Sequence, residues 1–309
     1  MKTGFLLGLG LLFVSLTAGA QFQWSGAWAD RSWATAGNWT NSAAPPALSS
    51  NRHLFASAGF GANNMDQDRT LFGPSDSLTN GLHYRCPSVA GLSHTTDLHG
   101  FTLKLDGGSL MVGQNSGTNS VVIANGTLQL GGSNRASLHV GYLDSSVTAV
   151  FNNSNRLTVA ATLESVRIGD LTAGYLVSGN SGRVPQGILD LTGATLTGPS
   201  GANSLKVEGA IRAGQSSTFG STTSAWSQVL FPASLTSLEA GSLLVGAGHY
   251  RVWGRMASIC CLLSPPTAPS GVGCMSGSGS RPRSRAIIGG CAWRATSARP
   301  SSRLRRRAI

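Results

Sequence analysis

Ser109-Leu110-Met111-Val112-Gly113 is followed by Ser137-Leu138-His139-Val140-Gly141, and then by Ser165-Val166-Arg167-Ile168-Gly169. The interval from position 109 to 137 is the same as the interval from 137 to 165. Looser copies occur at positions 210–214 and 242–246. A constant period of this size is typical of a repeat architecture, in which each unit buries its apolar face against its neighbours.

Each unit contains about three short apolar segments separated by Gly, Asn and Ser. If one unit forms one coil, equivalent residues stack at the usual strand separation of ~4.8 Å. We therefore predict an all-β fold, a parallel β-solenoid over residues 51–254 with about three short strands per coil. The predicted inward columns are Leu110/Leu138/Val166 and Val112/Val140/Ile168, the outward column is Met111/His139/Arg167, and the column at the bend is Gly113/Gly141/Gly169.

An antiparallel β-sandwich is the competing fold, because it also uses short alternating strands with frequent turn signals. A sandwich has no reason to repeat one motif at constant spacing, which favours the solenoid.

Residues 1–20 have the layout of a secretory signal peptide: Lys2, an apolar run over residues 5–14, and the small residues Ala18-Gly19-Ala20. A membrane anchor is the alternative, but the run is shorter than the ~20 residues that span a bilayer. We predict cleavage after Ala20, a secreted or cell-surface location, and a mature chain with no transmembrane span.

Residues 21–50 are predicted to form a Trp-rich N-terminal cap and linker. Their tryptophans either plug the open end of the solenoid or offer flat rings to sugars, and their position before the first repeat favours the plug. The four residues concerned are Trp24, Trp28, Trp33 and Trp39.

The formal charge of +11 comes from the C-terminal segment and from Lys2. Residues 255–309 hold ten Arg and no Asp or Glu, whereas residues 21–254 hold twelve basic and twelve acidic residues. The Arg/Ala/Pro/Gly/Ser composition of the C-terminal segment has three explanations: a shifted reading frame, a basic arm that binds acidic polymers, or a disordered low-complexity tail. We favour the frameshift. Because the basic residues are not placed on a folded face, nucleic acid is not a predicted partner.

Disulfides are not predicted to hold the fold together, because Cys86 is the only cysteine of residues 21–254. The cysteines of the C-terminal segment lack the paired spacing of a metal site. They are Cys260, Cys261, Cys274 and Cys291.

The Trp33-Ala34-Thr35-Ala36-Gly37-Asn38-Trp39 segment resembles the W-x-x-x-x-N-W start of exported bacterial proteins with autotransporter-associated β-strand repeats. Gly126-Thr127-Leu128-Gln129-Leu130 is similar to the strands of those repeats. The resemblance covers roughly residues 22–250 and implies a passenger-like β-helix, secreted or exposed on a surface. Residues 255–309 show neither barrel-type strands nor an acidic sorting motif, so the resemblance does not reveal the mode of attachment.

Catalysis by carboxylates requires two of them at a defined separation. One repeat interval after Asp144 the sequence has Thr172, and one interval before Asp170 it has Tyr142, so these acids do not stack on neighbouring coils. The histidines lack the short spacing of metal ligands. We predict no catalytic, cofactor-binding or metal site, and no cofactor. The other acids considered are Glu164, Asp190 and Glu208.

The predicted function is therefore a non-enzymatic extracellular structural or adhesin-like β-repeat protein. Its predicted partners are extracellular polysaccharide or a host or cell surface. The alternatives are a carbohydrate-active β-helix enzyme, a polysaccharide lyase or glycoside hydrolase, and a glycan-binding module.

Overall fold

A computed structural model describes residues 21–56, 61–85, 92–114, 118–143, 154–176, 186–216 and 227–245. All of them belong to one compact unit. The predicted signal peptide, Asp144, Cys86 and the C-terminal segment lie outside the described residues.

The described chain is a parallel β-solenoid built from two sheets. Its only described helical element is a 3₁₀ turn, Ala36–Asn38. The first sheet has eight strands, one for each passage of the chain. They are β1 (Gln21–Trp24), β3 (Arg52–Phe55), β6 (Gly81–Tyr84), β9 (Ser109–Gln114), β11 (Ala136–Leu143), β13 (Ile168–Leu176), β17 (Ser204–Ser216) and β19 (Ser237–Val245).

The second sheet carries the other half of every coil and has eleven strands. In two central coils the second and third strands are fused into single strands of 12 residues, β10 and β12. The strands are β2 (Leu48–Ser49), β4 (Ala62–Asn64), β5 (Arg69–Phe72), β7 (Leu92–Asp97), β8 (Thr102–Asp106), β10 (Asn119–Leu130), β12 (Ser154–Ser165), β14 (Gln186–Asp190), β15 (Thr195–Gly198), β16 (Gly201–Ala202) and β18 (Gln228–Leu230).

The core lies between the two sheets and follows the predicted columns on two successive coils. Leu110 pairs with Leu138, and Val112 pairs with Val140, all four fully buried. Each buried aliphatic side chain of this kind contributes roughly 1.5–3 kcal/mol to folding. The coils therefore hold together by stacked apolar columns and strand hydrogen bonds.

The third residue predicted for each inward column, Val166 or Ile168, is wrong. Leu138 pairs with Leu171, Val140 pairs with Ala173, and Val166 is 41% exposed. Ile168 is buried but pairs with Ala136, because a register shift separates that pair from the Leu138/Leu171 pair. The coil that ends at Leu171 is therefore longer than the coil before it.

The column at the bend is made of four glycines in the left-handed conformation: Gly113, Gly141, Gly174 and Gly214, with φ of 75°, 67°, 64° and 65°. Gly174, and not Gly169, continues the predicted column. At this φ an L-residue is strained, which explains why glycine recurs on four coils. The copy at positions 210–214 is confirmed, since Ile211 pairs with Leu171 and Ala213 pairs with Ala173.

The outward column also differs from the prediction. Met111 and His139 do lie outside the core cluster, but they are only 0% and 5% exposed. Their partner on the next coil is Thr172, which is fully buried, and not Arg167.

Candidate functional site

Three of the four tryptophans at the N-terminal end are buried together. Trp24, Trp33 and Trp39 are at most 1% exposed, and Trp39 packs edge-on against the other two at 5.1 and 5.6 Å between ring centroids. Phe55 of the second coil contacts all three. These rings therefore close the end of the core, whereas Trp28 is 60% exposed.

Asn38 of the W-x-x-x-x-N-W segment organises this cap. Its fully buried amide donates to the Asp30 carboxylate at 2.8 Å and to the Ser32 carbonyl at 3.0 Å. Its side-chain oxygen accepts the Trp28 backbone N–H at 2.8 Å. One side chain thus fixes three points of an irregular segment, which explains an Asn between the two buried tryptophans.

A buried polar network joins the cap to the next coils. Trp33 Nε1 donates to Asn63 Oδ1 at 2.5 Å, and the Asn63 amide donates to Thr96 Oγ1 at 3.0 Å and contacts His94. Tyr84 bonds to the same threonine hydroxyl at 2.5 Å. Hydrogen bonds of this kind offset the cost of burying these polar groups.

Three of the acids considered as catalytic are paired with arginines of a neighbouring coil. Asp170 bonds to Arg212 at 2.5 Å, and Glu208 bonds to Arg167 at 3.0 Å. The Arg167 guanidinium lowers the pKa of the Glu208 carboxyl. The third pair is Asp190 with Arg156.

These acids do not share one face of the solenoid. Asp170 and Glu208 belong to the first sheet, whereas Asp190 and Glu164 belong to the second. Burial raises the pKa of Asp190, but bonds from Thr192 and Arg156 bring it below its ordinary value. Such a carboxylate is held ionised, as an ion-pair partner, and is a poor general acid at neutral pH.

A cluster that the sequence interpretation missed lies on the outer side of the first sheet. Tyr142 and Tyr175 are paired in register with ring centroids 5.7 Å apart, and the Arg212 guanidinium lies 5.5 Å from the Tyr175 ring. His139 lies 5.0 Å from the Tyr142 ring. Its buried Nδ1 has no hydrogen-bond partner among the described residues.

Burial is the main cause that lowers the pKa of His139, to about 4, and it outweighs the opposite effect of Asp170. The imidazole is therefore neutral at neutral pH. A sequence signal for the cluster exists, because Leu138-His139-Val140-Gly141-Tyr142 and Leu171-Thr172-Ala173-Gly174-Tyr175 are copies of one motif on successive coils.

The outer face of the second sheet carries a row of threonines. Thr127 pairs with Thr102 on one side and with Thr162 on the other, and Thr162 pairs with Thr195. Equivalent hydroxyls on adjacent strands repeat at ~4.8 Å. Two positions further along the strands, a second polar row consists of Lys104, Gln129, Glu164 and Thr197.

Within the described ranges, no group of three or more His, Cys, Asp or Glu side chains is placed to hold a metal ion. None of the helical structure described there is long and apolar enough to cross a membrane.

In comparisons with known proteins, no family model, no curated protein and no solved structure matches the chain.

Proposed function

We propose that the chain is an extracellular, non-enzymatic solenoid with a structural or adhesin-like role, which presents a regular polar face to a polysaccharide or a cell surface. The observation that carries the proposal is the in-register row Thr102, Thr127, Thr162 and Thr195 on the outer face of the second sheet. Side chains repeated on a stiff scaffold suit contact with a repeating polymer, because little side-chain entropy is lost on binding.

The coil-to-coil ion pairs support the same proposal. Asp170, Asp190 and Glu208 each bond to an arginine, so their charges serve contacts between neighbouring coils. The cap adds a further structural element, since its tryptophan rings close the first end of the core.

Sedimentation of the full chain with insoluble polysaccharides and with whole bacterial cells tests this proposal. Thr162→Lys places a cation in the middle of the threonine row, and we expect it to weaken binding several-fold. Thr40→Lys adds the same charge on an exposed residue of the cap, away from the row, and is the matched control. Equal binding by both variants, or no sedimentation of the full chain with any substrate, would contradict the proposal.

A polysaccharide lyase or hydrolase is the second candidate, and the cluster on the first sheet favours it. The half-buried Tyr175 lies beside Arg212, which is paired with Asp170, and the buried His139 is neutral. Such side chains can serve as a general base and as a neutraliser of charge. Tyr175→Phe removes one hydroxyl and keeps the ring. Turnover of acidic polysaccharides by the full chain, lost in this variant at unchanged thermal stability, would establish the enzyme. No turnover on a panel of substrates would remove it.

A further inference from the structure

A cavity of about 440 Å³ opens where the N-terminal cap meets the second sheet. Asp30 belongs to the cap, Asn64 to Asp66 lie at the end of β4 and just after it, and His99 and Phe101 come from the turn between β7 and β8. The volume lies in the usual range of small-molecule sites, and the cavity is widely open to solvent. Residues far apart in the sequence thus line one concave surface.

Both carboxylates of the cavity, Asp30 and Asp66, are oriented by hydrogen bonds from neighbouring side chains. Asp30 accepts bonds from Thr35 Oγ1 at 2.5 Å and from the Asn38 amide at 2.8 Å. Asp66 Oδ1 accepts a bond at 2.5 Å from Arg69, which is itself 2% exposed and bonded to the Pro45 carbonyl at 2.6 Å.

The position of Arg69 is fixed further, because its guanidinium lies 5.4 Å from the Trp33 ring. The second oxygen of Asp66 has no hydrogen-bond partner among the described residues, and the carboxylate side chain is 25% exposed. Asp66 lines the cavity, and its carboxylate is already oriented by Arg69. A ligand that donates to it would therefore cost little side-chain entropy.

The remaining walls combine an apolar surface with the His99 imidazole, for which the described residues offer no hydrogen-bond partner. Met65 is 2% exposed and Phe101 is half-buried against the core. His99 is exposed at a left-handed turn position, with φ of 56°, and its backbone N–H donates to Asp97 at 2.8 Å. An aromatic face beside fixed hydrogen-bonding groups is suited to the C–H face and the hydroxyls of a pyranose ring.

The charge of the cavity selects among sugars. Asp30 and Asp66 present acceptor oxygens to hydroxyl or ammonium donors, and of the two only Asp66 is compensated by an arginine in the described chain. A uronic acid would bring a third carboxylate to the same place, which like-charge repulsion disfavours.

We propose that this cavity binds one pyranose residue of a neutral or amino-bearing glycan, with hydroxyl groups donating to Asp66 and the ring lying against Phe101. The proposal rests on the adhesive function and deepens it by naming a ligand class. It places the sugar site at the junction of cap and solenoid, and not on the buried tryptophan rings.

Saturation-transfer difference NMR and calorimetry on the full chain test the proposal. The probes are the methyl glycosides of glucose, galactose, N-acetylglucosamine and glucosamine, with methyl glucuronide as the acidic comparison. His99→Gly removes the imidazole and suits the positive φ, and we expect about tenfold weaker binding of the preferred glycoside. Asn125→Gly alters the corresponding turn on the next coil, where Asn125 has φ of 59°, and is the matched control.

Asp66→Asn is the second variant, and it is expected to lower affinity by a similar factor. If it fails to fold because Arg69 loses its partner, His99→Gly still decides. Saturation transfer that is equal in His99→Gly and Asn125→Gly, a preference for the glucuronide, or no transfer from any neutral or amino glycoside would each overturn the cavity proposal. Sedimentation weakened by Thr162→Lys in the same preparations would then show that the adhesive function stands without the cavity.

Discussion

Asn38 is the residue that organises the irregular cap, because its side chain makes three hydrogen bonds while fully buried. We expect Asn38→Ala to lower the free energy of unfolding by about 2–3 kcal/mol, since it leaves buried partners unsatisfied. Urea denaturation followed by tryptophan fluorescence measures this loss. Asn41→Ala, at an exposed position of the same segment, should change stability by less than about 0.5 kcal/mol. Similar effects of the two substitutions would refute the assigned role.

His53 makes the cap sensitive to acid. Burial against Phe22, Trp33 and Trp39 lowers its pKa to about 4, although its bond to the Asn51 carbonyl acts in the opposite direction. The unfolded chain binds this proton near pH 6.5, whereas the folded chain binds it only near pH 4. Stability is therefore lost as the pH falls through that window, by up to about 3 kcal/mol for this one group.

His53→Phe keeps an aromatic ring in the cap and removes the titration. Thermal denaturation between pH 7 and pH 4 should show a shallower decline for this variant than for the parent chain. His83 and His139 are also buried with a lowered pKa, so part of the decline will remain. An identical slope for His53→Phe and the parent would contradict the assignment.

At the scale of the elements, the glycines at the bend set the register of each coil. A Cβ at Gly141 would lie 2.5 Å from the Gln186 carbonyl oxygen, and φ there is 67°. We expect Gly141→Ala to cost about 2 kcal/mol or more, because backbone strain and a backbone clash combine. At Gly193 a Cβ would meet nothing closer than 3.7 Å, so Gly193→Ala should be nearly neutral. Urea denaturation of both variants makes the comparison, and an equal cost would refute it.

The repeat motif predicted the architecture and two rungs of the core correctly, because Leu110/Leu138 and Val112/Val140 pair at the repeat interval. It failed at Val166 because the coils differ in length. Leu138 pairs with Leu171, Leu171 pairs with Ile211, and the interval in sequence lengthens from the first pair to the second. The glycine with a positive φ marks the residues that stack on the next coil. A sequence motif does not reveal which of several glycines adopts that φ. Gly169 matched the motif, whereas Gly174 has the required conformation.

The candidate sites were less predictable than the fold. A search for acids at one constant interval could not find the pair of Arg167 and Glu208, whose separation in sequence differs from that interval. The cavity joins Asp30, Asp66 and His99, whose proximity depends on how the cap folds onto the second sheet. The tyrosine pair was within reach of the sequence, because Gly-Tyr recurs at positions 141–142 and 174–175 once the longer coil is allowed.

At the scale of the whole molecule, the two ends of the described solenoid differ. The first strand, β1, is covered by the part of the cap that follows it, where the Thr40 backbone N–H donates to the Gln23 carbonyl at 2.9 Å. The last described strand of the first sheet, β19, pairs with β17 on one side, and Leu243 in its core column is 43% exposed. The cap therefore protects an edge that parallel strands otherwise leave open to other chains.

Successive coils stack in parallel and in a defined register, and a pair of cysteines tests this most directly. In a full chain whose own cysteines are replaced by serine, Thr127→Cys with Thr162→Cys places two thiols on paired strands of one outer face. Parallel neighbours are close enough for a disulfide. Thr127→Cys with Thr158→Cys is the control, because Thr158 pairs with Val122. Mass spectrometry of unreduced peptides should find the 127–162 disulfide in folded monomer and not the 127–158 disulfide. No 127–162 disulfide, or equal yields of both, would contradict the solenoid and its register.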